Sequence, residues 1–132
     1  QKNIETLIGI LKLKKNIQIM PFQNNPYPFI KKSHIFILSS KYEGLPNSLL
    51  EAIVLNKPVI SSDCPTGPKE ILDKGRGGFL FTVGDYKSLA NKIEYCIKSK
   101  NQTAQKKKYA YKRLNRFDYE LRLHDYYKVI CS

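Results

Sequence analysis

Cysteine is scarce in this sequence, and what there is lies scattered. Cys64, Cys96 and Cys131 are odd in number and far apart, which excludes both a disulfide framework and a Cys-x-x-Cys pair and points to a reducing compartment. Histidine occurs only as His34 and His124. One precedes a strand pattern and the other lies in a helical one, so both read as surface or packing residues and not as metal ligands. No apolar run approaches the roughly 20 residues that span a bilayer. The opening Gln1-Lys2-Asn3 carries neither a methionine nor a signal-peptide pattern, so the chain reads as the middle of a longer protein. Internal repeats, low-complexity blocks and RRM, helix-turn-helix or zinc signatures are also missing, so no nucleic-acid partner is expected.

Acidic residues are few as well. Eleven Asp and Glu stand against 23 Lys and Arg, a formal charge of +12. Residues 1–99 hold 14 basic and 8 acidic residues, and residues 100–132 hold 9 and 3, so half of the excess falls in the last quarter of the chain. Such a tail suits nucleic acid, anionic lipid or a phosphorylated substrate. A composition rich in Lys, Asn and Ile throughout is the plain alternative. Tyr109, Tyr111, Tyr119, Tyr126 and Tyr127 interleave with the tail's basic residues, a pattern that reads first as helix packing with solvated lysines. At 42% hydrophobic over 132 residues, the chain has enough apolar content for one domain with a core.

The hydrophobic pattern alternates between helix and strand. Ile4, Leu7, Ile8 and Leu11 predict a helix over 3–13 with one buried face, ending in basic residues that suit its C-terminus. Ile17–Met20 alternates as a strand and stops at Pro21. After a turn-rich loop, Phe29–Ser33 predicts a short helix, and Ile35–Leu38 a strand covered on both faces. Asn47–Leu55 predicts a helix capped by Asn47 and closed by Asn56, with Leu49, Leu50, Ile53 and Val54 inward. Pro58–Ser61 is the next strand, and Pro68 opens a short helix to Leu72. Phe79–Val83 is the last strand, and Gly84-Asp85 caps a helix to Lys98 that buries Leu89, Ala90, Ile93 and Ile97. Two tail helices, Thr103–Asn115 and Tyr119–Ile130, close the chain. This order predicts an α/β fold with a parallel, partial Rossmann-like sheet and C-terminal helices. The expected division is 1–100 for the sheet domain and 101–132 for a basic helical tail.

Chemistry concentrates at Glu43-Gly44-Leu45-Pro46-Asn47-Ser48-Leu49-Leu50-Glu51. Two carboxylates with seven residues between them stand on the loop after a strand and on the helix that follows. In open parallel sheets, ligands bind at that rim. The pair suits acid/base chemistry, hydrogen bonding to vicinal diols, or simple solvation at the surface. The helix start offers free N–H groups and a positive dipole end to a phosphate. Diol acceptors beside an anion site describe a nucleotide sugar.

These residues resemble the donor domain of glycosyltransferase family 4. The resemblance lies in Glu43–Ala52 followed by Lys57–Leu72, which includes Cys64-Pro65-Thr66-Gly67-Pro68-Lys69-Glu70-Ile71-Leu72. It is extended by Phe22–Ser33 upstream and by Gly78-Phe79-Leu80 and Val83-Gly84-Asp85 downstream. It covers about residues 15–98 strongly. Pro21 and Asn56 depart from it where glycines are usual.

The resemblance implies a retaining, metal-independent hexosyl- or N-acetylhexosaminyltransferase of GT-B architecture, without a cofactor beyond its nucleotide-sugar donor, which would be UDP-linked. Glu43 would contact the transferred sugar as the catalytic-site glutamate, and Glu51 would hold the ribose diol. Gly44, Leu45, Pro46, Asn47 and Ser48 would face sugar hydroxyls and phosphate, Thr66 and Gly67 would line the same cleft, and Pro21 and Phe22 would border the nucleobase. The acceptor would be a glycan or a lipid-linked sugar in bacterial cell-surface polysaccharide or lipopolysaccharide assembly. The place of action would be the cytoplasm; separately from the resemblance, the excess charge of the tail suits peripheral contact with anionic lipid at the inner face of the membrane. A missing N-terminal domain, and the missing first part of the donor domain with its phosphate-neutralising Arg and Lys, would complete the enzyme. The chain alone is not expected to catalyse. The alternative readings are a non-catalytic remnant or binding module and, behind it, a basic nucleic-acid-binding α/β domain. On this mapping the strands between Ile17–Met20 and Ile35–Leu38 are absent, so Ile17–Met20 would be an orphan edge or re-pair elsewhere.

Overall fold

The computed structural model describes residues 2–118 and 120. Three parallel strands, β1 (Phe36–Leu38), β2 (Val59–Ser62) and β3 (Phe79–Phe81), form one sheet in the order β1-β2-β3. The register sets Leu38 against Ser61 and Ser62 against Phe81. Helix α1 (Lys2–Ile10) and the short α2 (Tyr27–Lys32) precede the sheet. Then α3 (Asn47–Val54) and the single turn α4 (Pro68–Ile71) carry the chain between strands, and α5 (Tyr86–Lys98), α6 (Lys100–Lys112) and a 3-10 turn over Leu114–Phe117 follow them. The α/β architecture is the one the alternation predicts.

Alternation along β2 builds two cores. Val59 turns to Leu49, Ala52, Ile53, Ile71 and Leu72, with Ala110 of α6 on the same side. Ile60 turns the other way, to Phe79, Phe81 and Cys96, with Leu89 and Ile93 of α5 packed against them. A central strand buried on both faces is apolar or small throughout, and all four residues of β2 are buried. Full burial of side chains the size of Leu49, Ile60 and Leu72 stabilises the fold by about 1.5–3 kcal/mol each.

Local chemistry explains most boundaries. Asp85 caps α5 by accepting from the Ser88 N–H at 2.9 Å. Asn56 takes the left-handed conformation, φ 57°, just past α3. Pro68 occupies the first turn of α4. Asn47, in contrast, is not the cap of α3: Pro46 holds that place, and its carbonyl accepts from the Leu49 N–H at 3.0 Å. Helix α2 starts two residues before the expected Phe29, because Pro28 fits its first turn.

The larger departures occur where a partner surface is lacking. Ile17–Met20 is not a strand and pairs with nothing in the sheet; Ile17, Ile19 and Met20 are exposed. Of the α1 face only Ile8 is buried, and the helix ends at Ile10. Strand β1 starts at Phe36 and leaves Ile37 exposed, so its cover is one-sided. Strand β3 stops at Phe81, two residues short of the expected Val83. In α5 the buried position is Cys96, while Ala90 and Ile97 face solvent; in α3 Ala52 is buried and Val54 is exposed.

The first tail helix packs onto the domain. Thr103 donates to the Cys96 carbonyl at 2.9 Å. Tyr109 donates to Asp73, and Lys106 to the Gly75 carbonyl. Arg116 reaches the Ile71 carbonyl at 3.1 Å. The helix starts at Lys100 and breaks at Arg113, earlier at both ends than the expected 103–115. The second expected tail helix, Tyr119–Ile130, lies outside the described residues. No helix among the described residues is long and apolar enough to cross a membrane.

Candidate functional site

Because the strands are parallel, β1 and β2 end on one rim. Their loops are fastened together there. Ser62 donates to the Ser40 carbonyl at 2.6 Å, and the Thr66 hydroxyl donates to the Glu43 carbonyl. Gly67, at φ 81°, lies so close to the first loop that a Cβ there would sit 1.8 Å from the Gly44 oxygen and 2.7 Å from Pro46 Cδ. Only glycine meets both the dihedral and the spacing. Glu43, Gly44, Pro46, Thr66 and Gly67 are thereby one assembly. Serines 40 and 62, which the sequence reading left without a role, are part of what holds it.

Pro46 sends the chain into α3. The first-turn amides of Asn47 and Ser48 have no carbonyl to bond within the helix, no side chain caps them, and no acid stands in that turn. The positive end of the helix dipole is open at the rim. Asn47 and Glu51 are four residues apart and share a helix face. With Leu50, Val54, Leu55 and Tyr27 of α2 they line a groove of 460 Å³. The Tyr27 hydroxyl stands 3.5 Å from Glu51 Oε1. Tyr27 had no assigned role in the sequence; its place opposite Glu51 follows from the packing of α2 on α3.

Leu45 is exposed at the tip of the loop and Ser48 is half-buried in the first turn. Pro21 and Phe22 stand apart: Phe22 is 90% exposed, and the bond at the Pro21 carbonyl is a local one from Gln23. Two of the cations near the rim are engaged elsewhere, while Lys41, in the rim loop, is exposed. Lys69 pairs with Asp63 at 3.3 Å, and Arg116 is turned to backbone carbonyls. No group of three or more His, Cys, Asp or Glu able to hold a metal ion occurs among the described residues.

The rim thus sets carboxylates on a clasped loop and on a helix, beside open helix N–H groups, at the end of a parallel α/β sheet, the place where ligands bind in open sheets of this class. The chain belongs to the family described as glycosyl transferases group 1, whose model matches residues 1–113. It is 49% identical over 72 residues to an uncharacterized glycosyltransferase of Methanocaldococcus jannaschii, covering 54% of this chain and 18% of that protein. It is 44% identical over 55 residues to the lipopolysaccharide 1,6-galactosyltransferase of Salmonella typhimurium, covering 42% and 15%. Among solved structures, Anabaena HepE in complex with UDP superposes with a TM-score of 0.80 at 25% identity, covering 87% of this chain and 32% of that one. A Rickettsia africae glycosyltransferase superposes at 0.85 with 24% identity, covering 97% and 35%, and shows the common fold. The chain spans 18% and 15% of the length of the two curated relatives named here.

Proposed function

We propose that this chain is the donor-binding part of a retaining glycosyltransferase that takes its sugar from a UDP-linked donor. The observation that carries the reading is the open N-terminus of α3 set between the clasped Glu43 loop and the Glu51 groove. Asn47 and Ser48 would offer amide N–H groups to the diphosphate. One turn along the same helix, Glu51 would accept hydrogen bonds from the ribose diol. Glu43 would meet the transferred hexosyl or N-acetylhexosaminyl group, with Gly44, Leu45 and Pro46 beside it and Thr66 and Gly67 closing the far wall.

In this reading the chemistry consists of positioning the donor and stabilising the diphosphate as it leaves. No metal or covalent nucleophile is invoked. Assembly of a cell-surface polysaccharide, with a glycan or lipid-linked acceptor, is the role consistent with the relatives' names. Calorimetric titration of the chain with UDP tests the proposal. Saturable binding that is lost in Glu51→Ala supports it. Absence of binding by a chain whose circular dichroism and urea transition report a folded domain counts against it.

A further inference from the structure

Away from the rim, α6 carries Lys100, Lys106, Lys107, Lys108 and Lys112 and no acid in its 13 residues. Lys106 is spent on the Gly75 carbonyl. Its neighbours Lys107, Lys108 and Lys112 have no carboxylate at ion-pair distance among the described residues. Together with Tyr111 and with Val54 and Asn56 from the end of α3, they line a groove of 640 Å³. Tyr111 is 54% exposed and Val54 57%. The core-facing positions of α6 are Thr103 and Ala110; Lys107 is half-buried on the flank of that face, and Lys108, Tyr111 and Lys112 are exposed.

We propose that this groove docks the chain on an anionic membrane surface, with the lysines at lipid phosphates and Tyr111 and Val54 at the headgroup boundary. Charge complementarity selects a polyanion, because three neighbouring cations without a carboxylate partner among the described residues repel one another until an anion sits over them. The apolar part of the groove selects a bilayer over a nucleic acid. An aromatic ring with a polar tip is favoured at a membrane interface; bases of a single strand would also stack on such a ring, so it is the exposed aliphatic Val54 beside it that favours lipid. The groove lies at the C-terminal end of α3, while the rim lies at its N-terminal end. Docking here therefore leaves the Glu43 loop facing away from the lipid. The inference does not depend on what the rim binds.

The test is co-sedimentation of the chain with phosphatidylcholine vesicles with and without phosphatidylglycerol, at low and high salt. Binding should require phosphatidylglycerol and weaken as salt rises. Lys108→Gln with Lys112→Gln should lower partitioning roughly thirty-fold, and Tyr111→Ser should lower it further. Lys14→Gln with Lys15→Gln, which removes the same charge from an exposed segment elsewhere, should leave it within about twofold. Both lysines of the first pair are exposed, and Tyr111→Ser gives a second reading of the groove without changing charge. Equal loss in the two pairs would overturn the proposal, as would binding indifferent to phosphatidylglycerol. Vesicle binding untouched by the first pair, with binding to a single-stranded oligonucleotide abolished, would overturn it in favour of a nucleic acid.

Discussion

A single methyl group at Gly67 probes how the rim is built. Gly67→Ala meets two separate obstacles. At φ 81° an L-residue costs about 1–2 kcal/mol. The added carbon would also lie 1.8 Å from the Gly44 oxygen, so the two loops must move apart. Overpacking of this kind costs about 1–3 kcal/mol, and separation strains the Thr66–Glu43 hydrogen bond. The sum, about 2–5 kcal/mol, is a large share of the roughly 5–15 kcal/mol that holds a domain together. Urea unfolding of Gly67→Ala should therefore show a much lower midpoint. Gly44→Ala is the matched comparison: nothing lies within 4 Å of its Cβ position, so its stability should stay within about 0.5 kcal/mol. A Gly67→Ala protein as stable as the wild type would refute the clasp.

Other outcomes follow from the same structure. Asp73, held by Tyr109 and then by Arg76, titrates below its ordinary 3.8, and Tyr109 titrates above its ordinary 10.0 because of Asp73. The contribution of Asp73 is thus whole above about pH 4 and lost as pH falls toward its depressed value, and that of Tyr109 is lost as pH rises through its elevated one. NMR titration of Asp73 in Tyr109→Phe should show its carboxyl moving back up; an unchanged value would contradict the contact. Thr103→Val keeps the shape but leaves the Cys96 carbonyl without its partner, and should cost about 1–3 kcal/mol by thermal or urea unfolding. Gly78→Ala would place a Cβ 2.8 Å from Val59 Cγ2 in a buried site, and should cost about 1–3 kcal/mol, read as a lower urea midpoint.

The sequence disclosed features set by neighbours along the chain. The Asp85 cap, the left-handed Asn56, Pro68 at the start of α4 and the apolar run of β2 are local chemistry, and each stands where its pattern placed it. Features that need a distant partner were not legible. Ile17–Met20 has the alternation of a strand but no strand beside it, and Ile4, Leu7 and Leu11 have the spacing of a buried face with nothing covering it. At the rim, the spacing of Glu43 and Glu51 drew attention to the loop after β1 and to α3, which the structure joins at one end of the sheet. The fastening of that loop by Ser62, Thr66 and Gly67 depends on the β1–β2 register, which no single stretch encodes. The same holds for Tyr27, whose position against Glu51 comes from helix packing.

The central claim is that Glu51 accepts a ribose diol, and it is tested most directly by comparing UDP with 2′,3′-dideoxy-UDP on the wild-type chain and on Glu51→Gln. The two ligands carry the same phosphates and base and differ only in the diol. Hydrogen bonds to a charged acceptor contribute about 1.5–3 kcal/mol each, so the wild type should prefer UDP by about tenfold or more, and Glu51→Gln should lose most of that preference. An undiminished preference in the mutant, or none in a wild-type chain that binds both, would contradict the account.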